Sequence, residues 1–125
     1  NLARLRRNFE AIRRRVNGAK IMAILKANAY GHGLVEVARH VVAWGAAWLG
    51  VAVLEEALLL RQVGVRAPIL VLGGIWGNQI PLFLENDITV TASSVEKLEQ
   101  IEQAAAALGR RARVHLKIDT GMERI

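Results

Sequence analysis

Residues 21–33 read IMAILKANAYGHG. Five apolar residues, Ile21 to Leu25, predict a buried β-strand, and the glycine-punctuated polar segment after them predicts a tight turn leading toward a helix. Lys26 therefore stands where an apolar strand meets a loop. Burial disfavours an ammonium ion, and the neutral amine is the form that attacks an aldehyde. Lys26 is thus the leading functional candidate, as a Schiff-base lysine; the alternative is a strand-closing lysine with its head group in water.

Strand-like and helix-like segments alternate along the rest of the chain. The predicted strands are 20–25, 48–53, 69–72, 88–91 and 113–118. The predicted helices are 34–42, 55–63, 79–85 and one that begins at a capping box over 93–96 and ends near Gly109. Strands separated by helices predict right-handed crossovers and a parallel sheet covered on both faces. Two α/β architectures fit this pattern, a doubly wound open sheet and a (β/α)8 barrel, and the pattern leaves both open.

The net charge of +6 is concentrated in the first twenty residues, which carry seven basic groups and one acidic group. The same segment predicts an amphipathic helix, because apolar residues recur at spacings of three and four at Leu2, Leu5, Phe9, Ile12 and Val16. A solvated basic face is the favoured interpretation, and no nucleic-acid partner is expected. A patch for the phosphate backbone of nucleic acid and an organelle-targeting helix are the alternatives.

The composition excludes several classes of protein. With 125 residues, 53% of them hydrophobic, the chain can bury the core of one domain or part of a larger one. Val41–Leu54 is weakly charged but short and interrupted by glycines, and we find no signal-peptide pattern. We therefore expect a cytoplasmic protein with no membrane partner. The absence of cysteine excludes disulfides, thiolate metal sites and cysteine nucleophiles.

Short motifs for other chemistries fail or are weak. The glycines at 31 and 33 lack the third glycine of a dinucleotide fingerprint, and 45–52 lacks the lysine of a P-loop. The three histidines have no metal-ligand spacing, so no metal is expected. The triplet Asp119-Thr120-Gly121 also occurs in aspartic proteases, but the alternating helices argue against that all-β fold.

Residues 26–33, KANAYGHG, resemble the pyridoxal 5'-phosphate (PLP) attachment motif of the alanine racemase family. Further blocks are similar to the same family, in the same order. They are Trp48–Ala52 with Glu55–Ala57, then Arg61 and Gly64, then Pro68–Gly73, and finally Val114–Met122 with Arg124. The resemblance covers essentially the whole chain.

The resemblance implies a fold and an activity. The fold is a partial (β/α)8 TIM-type barrel of about five βα units after an N-terminal helix. Residues 1–125 would be the N-terminal part of the PLP-binding barrel domain, with the rest of the barrel and a C-terminal β domain absent. The activity is interconversion of L- and D-alanine through a PLP aldimine and two-base proton transfer, supplying D-alanine for peptidoglycan. A homodimer is implied, because a tyrosine of the other subunit serves the second face.

The resemblance also assigns roles to individual residues. Lys26 would hold PLP and act as the base on the D-isomer face, and Tyr30 would contact the cofactor phosphate. Leu72 would line the cofactor, while Arg124 and the backbone N–H of Met122 would bind the substrate carboxylate. In many family members the lysine matching Lys117 is carbamylated and orients that arginine. The alternatives are a packing tyrosine, a solvated arginine and an ordinary strand lysine.

Two other functions compete with racemisation. One is a non-catalytic PLP-binding barrel that serves cofactor homeostasis; such relatives lack the Tyr-Gly-His-Gly turn that is present here at 30–33. The other is an inactive half-barrel, because an unclosed barrel leaves strand edges unpaired. We expect no racemase turnover from these 125 residues alone.

Overall fold

The computed structural model describes residues 1–123 and shows helices alternating with parallel strands. The strands are β1 (Met22–Ile24), β2 (Trp48–Val51), β3 (Ile69–Val71), β4 (Val90–Ala92) and β5 (Val114–Leu116). The helical segments are α1 (Leu2–Arg15), α2 (Lys26–Tyr30), α3 (Leu34–Ala43), α4 (Leu54–Gln62), α5 (Ile80–Glu85) and α6 (Val95–Leu108), and a 3₁₀ turn, Gly77–Gln79, precedes α5. All five predicted strands are confirmed, each shorter than the sequence indicated.

The strands pair in the order of the chain. β1, β2 and β3 form one parallel ladder and β4 and β5 another, and a parallel bridge from Leu70 to Thr89 joins the two. A doubly wound sheet reverses its strand order at a switch point, whereas a barrel adds each strand beside the previous one. The described strands show no reversal. The structure therefore selects the barrel from the two architectures that the sequence allowed.

The main core lies between the sheet and its covering helices. Right-handed crossovers with sequential strand order place the helices on one side of the sheet. Side chains on the helix-covered face of the sheet and on the helices that cover it are almost completely buried; they include Leu49, Val51, Ile69, Val71 and Val90 of the strands and Leu60 and Phe83 of the helices. The opposite face carries Met22, Ile24 and Leu72 around Gly50, and Trp48 of β2 contacts His115 of β5 across it with ring centroids 5.4 Å apart. In a barrel this second face is the interior.

The N-terminal helix α1 uses only part of its apolar stripe. Phe9 is buried and its ring lies 6.1 Å from that of Trp44, but Leu2 and Ile12 are exposed. Arg13 donates a hydrogen bond to the Trp44 carbonyl at 3.1 Å, so one arginine of the basic face fixes the helix to α3. No helix within residues 1–123 has the length and hydrophobicity needed to cross a membrane.

The predicted capping box of α6 is wrong by one residue. Ser94, not Ser93, is the N-cap, and its side chain accepts a hydrogen bond from the Lys97 N–H at 3.2 Å. The third helical position is then Lys97, whose side chain cannot accept a bond from the cap in return. The predicted end of this helix is confirmed, because Gly109 adopts a left-handed conformation there.

Candidate active site

Lys26 is the second residue after β1 and begins α2, which is a turn with left-handed backbone rather than an ordinary helix. The four residues after it, Ala27 to Tyr30, all have φ between 52° and 55°, and Gly31 has φ 83°. Left-handed backbone costs about 1–2 kcal/mol for each residue with a side chain and normally occurs at single positions. A run of four is therefore maintained by its surroundings. Lys26 itself is half-buried.

Hydrogen bonds to the surrounding chain hold this turn. Ala29 donates to the Leu25 carbonyl at 2.7 Å, and Leu25 donates to the Gly50 carbonyl at 2.7 Å, which continues the ladder between β1 and β2. The Asn28 carbonyl accepts from the N–H groups of Gly31 and Gly33. The Asn28 side-chain oxygen accepts from the Leu34 N–H at 2.7 Å. Asn28 therefore couples the turn to the first residue of α3.

Glu56 connects the turn to the next loop. One carboxylate oxygen accepts from the Asn28 N–H at 3.1 Å, and the other accepts from the Ala52 N–H at 2.9 Å. Ala52 in turn accepts a hydrogen bond from the Gly73 N–H at 3.1 Å. The loops that follow β1, β2 and β3 are thus joined in series. Sequence reasoning placed Glu56 only in the first turn of α4 and missed this bridge.

Two glycines allow close packing at this end of the sheet. A side chain on Gly73 would overlap the Ala52 carbonyl oxygen. A Cβ on Gly50 would lie 2.6 Å from Ile24 Cδ1 and 3.4 Å from Leu72 Cδ1. Leu72 is half-buried and lies on the interior side of the sheet beside these residues.

The loop after β5 is organised by Asp119. Its Oδ1 accepts from the N–H groups of Gly121, Met122 and Glu123 at 2.9, 2.9 and 3.1 Å. The bonds from Gly121 and Glu123 are the main reason why the pKa of Asp119 lies below its ordinary value, and Lys117 also lowers it. The Met122 N–H that was expected to bind a carboxylate therefore binds the Asp119 carboxylate in this structure.

This arrangement predicts a pH dependence confined to the loop. A carboxyl whose pKa is lowered by folding stabilises the structure above its ordinary pKa of about 3.9, and that contribution is lost as the pH falls through the lower folded value. We expect the backbone amide resonances of Gly121 and Met122 to shift together on acidification below about pH 4. Replacement of Asp119 by asparagine should remove the titration, and titration of these amides in that variant would contradict the assignment.

The predicted site residues lie at one edge of the sheet. Lys26 and Tyr30 follow β1, Leu72 follows β3, and Lys117 and Met122 follow β5, so all five come from the carboxyl ends of parallel strands. Tyr30 is 60% exposed and Met122 is 68% exposed, whereas Lys117 is half-buried. Arg124 lies outside the described residues. In barrels of this type the carboxyl edge is where active sites occur.

Comparison with known proteins identifies the family. The family model described as "Alanine racemase, N-terminal domain" matches residues 1–125 of this chain. This chain belongs to the alanine racemase family. The alanine racemase of Methanococcus maripaludis is 44% identical over the entire chain, and that of Desulforamulus reducens is 47% identical over the entire chain. In both cases the chain covers 34% of the relative. It therefore spans about a third of the length of these alanine racemases.

Solved structures of the family share the fold. The alanine racemase of Streptomyces coelicolor superposes with a TM-score of 0.92 at 42% identity, over 98% of this chain and 33% of that one. A histidine racemase from Leuconostoc mesenteroides gives a TM-score of 0.89 at 38% identity, over 96% of this chain and 32% of that one. The partial α/β barrel and the alanine racemase resemblance are both confirmed. The individual site residues stay predictions.

Proposed function

We propose that the full-length protein carrying this chain is a PLP-dependent amino-acid racemase, with alanine as its principal substrate. The observation that carries this proposal is the position of Lys26. Lys26 is half-buried at the carboxyl edge of the sheet, between β1 and the left-handed turn. Family membership and the names of the relatives support the same activity.

The residues present fit the chemical groups of PLP. A primary amine can hold an aldehyde, and Lys26 supplies one at the edge of the barrel. A hydroxyl can donate to a phosphate oxygen, and the exposed Tyr30 four residues later supplies one. Leu72 offers apolar surface on the interior side of the sheet. Lys26, Tyr30 and Leu72 are therefore the residues that would hold the cofactor.

Racemisation requires a base on each face of the substrate α-carbon. When bound, PLP supplies an electron sink that makes the α-hydrogen acidic. The Lys26 amine would accept or return the proton on the D-isomer face. The family resemblance assigns the second base to a tyrosine, and Tyr30, the only tyrosine in the sequence, is already assigned to the phosphate. We propose a tyrosine of the partner subunit in a homodimer.

The end of β5 would orient the substrate. Arg124 is the proposed partner of the substrate carboxylate, because a guanidinium can donate two parallel hydrogen bonds to it. Met122 could donate its N–H to the same carboxylate only after releasing Asp119, which holds that N–H at 2.9 Å. A carbamylated Lys117 would carry the negative charge that orients this arginine in many family members. These three roles depend on the family resemblance.

The proposed protein is longer than this chain. The relatives are about three times as long, so these residues would form the N-terminal part of the barrel domain, followed by the remaining strands and a C-terminal β domain. The chain alone would then lack the second base and show no turnover. The cytoplasmic location and a role in peptidoglycan supply stay predictions.

Exchange of the α-hydrogen with solvent tests the activity and the substrate together. The full-length protein with PLP, incubated in D2O, is expected to remove the α-proton NMR signal of both L- and D-alanine. L-Histidine and L-serine serve as comparison substrates, because a histidine racemase shares this fold. Faster exchange of histidine than of alanine would overturn the choice of substrate. PLP binding without exchange of any of these amino acids would favour the non-catalytic alternative.

A further inference from the structure

Glu56 is placed to act on the loop that carries the candidate catalytic lysine. It belongs to the first turn of α4, yet its carboxylate is occupied by two backbone N–H groups from different loops. The bond to Asn28 spans 28 positions in the sequence, and the bond to Ala52 spans four. The Glu56 side chain is half-buried. It is the point at which the turn after β1 is joined to the loop after β2.

The turn needs such a fixed partner. Asn28 is the second of four consecutive left-handed residues, so its N–H points where the backbone of an ordinary right-handed turn would not place it. Unfavourable backbone conformations persist when surrounding contacts over-determine them. The Glu56 carboxylate supplies a charge-assisted hydrogen bond to this N–H, which is stronger than a bond to a neutral acceptor. Asn28 then passes the constraint to α3 through its bond to the Leu34 N–H.

We propose that Glu56 is a positioning residue, which sets the orientation of Lys26 and Tyr30 by clamping the left-handed turn to the loop after β2. This proposal rests on the proposed function, because it assigns catalytic importance to the two residues that border the turn. Glu56 does not itself contact the reacting atoms. Its carboxylate acts through Asn28, which lies between Lys26 and Tyr30 in the sequence.

The clamp is tested first without cofactor, by hydrogen exchange of the full-length protein. Glu56→Ala should accelerate amide exchange of residues 27–33 by about tenfold or more, because a hydrogen bond to a charged acceptor is lost. Glu55→Ala is the matched control, since Glu55 is exposed, lies in the same first turn and carries the same charge. Glu56→Gln keeps one acceptor oxygen and the length of the side chain, and should give intermediate acceleration. If Glu56→Ala does not fold, Glu56→Gln provides the exchange measurement in its place.

The second measurement is catalytic. Glu56→Ala should lower kcat for alanine about tenfold or more, with a smaller change in KM, because displacement of the lysine affects the proton transfer more than ground-state binding. Glu56→Gln should recover part of kcat, and Glu55→Ala should resemble the wild type. Equal exchange in the Glu56 and Glu55 variants would overturn the clamp. So would faster exchange with unchanged kcat, because the bond would then be only structural.

The two proposals fail in distinguishable ways. If the wild-type protein neither binds PLP nor racemises any amino acid, the proposed function fails, and with it the catalytic role of Glu56, whatever the exchange rates show. If the wild type is active and the Glu56 variants match the Glu55 control in both measurements, only the clamp fails.

Discussion

Replacement of Lys26 by alanine in the full-length protein is expected to lower the rate of alanine racemisation by about 10²–10⁴-fold or more, the range that one positioned acid or base contributes. The reason is that Lys26 would serve twice, as the anchor of the cofactor and as one of the two bases. Small amines added to the solution should restore part of the rate, because they can replace the missing base but not its position.

The anchoring role can be measured separately from the rate. Borohydride reduction of the protein mixed with PLP, followed by peptide mass mapping, should find the pyridoxyl group on Lys26 alone. Lys20→Ala is the matched control, because Lys20 is exposed and precedes β1, at the opposite end of the strand from Lys26. It should leave labelling and activity unchanged. Labelling of Lys97 or Lys117 in place of Lys26 would remove the cofactor assignment.

The strands and helices could be predicted because each has a local signal. Apolar runs mark the strands, and the glycines at 64 and 109 mark the ends of α4 and α6, where both adopt positive φ. The choice between an open sheet and a barrel could not be predicted by pattern alone. It depends on which strands are neighbours, and the bridge from Leu70 to Thr89 that fixes this order has no local sequence signal.

A sequence motif supplied the candidate site residues, but the contacts that hold their backbone could not be predicted. The motif at 26–33 made Lys26 and Tyr30 candidates, but it did not predict the run of left-handed residues from Ala27 to Tyr30, which contradicts the ordinary preference of residues with side chains. The bond from Asn28 to Glu56 joins residues far apart in the chain, which no periodicity reveals. Resemblance suggested a free N–H at Met122, whereas the structure pairs it with Asp119.

Arg61 joins helix α4 to the loops before β3 and β4, at the edge of the sheet opposite the candidate site. The guanidinium donates to four backbone carbonyls, those of Asn86 at 3.0 Å, Val65 at 2.8 Å, Ala67 at 2.9 Å and Asp87 at 2.9 Å. These carbonyls belong to the loops that precede β3 and β4. Burial lowers the pKa of Arg61 and the nearby Asp87 opposes that change. The side chain stays charged, because an arginine pKa is far above neutrality.

Arg61→Met is expected to lower the free energy of unfolding by about 3 kcal/mol, because several partly buried carbonyls lose a charged donor. Arg61→Lys should lower the free energy of unfolding by a smaller amount, because an ammonium keeps the charge. Some loss should remain, because an ammonium cannot reach all four carbonyls. Urea unfolding of the full-length protein measures the loss. Arg66→Met is the control, because Arg66 is exposed in the neighbouring loop and should change stability little.

The Arg61 variants also separate stability from catalysis. Arg61 contacts the loops at the amino edge of the sheet, whereas Lys26 and Glu56 lie at the carboxyl edge. Below the unfolding temperature, Arg61→Met should therefore racemise alanine at nearly the wild-type kcat. Equal unfolding free energies for the Arg61 and Arg66 variants would show that water replaces the guanidinium at these carbonyls. A large fall in kcat would show that the amino edge controls the geometry of the carboxyl edge, contrary to the local clamp proposed for Glu56.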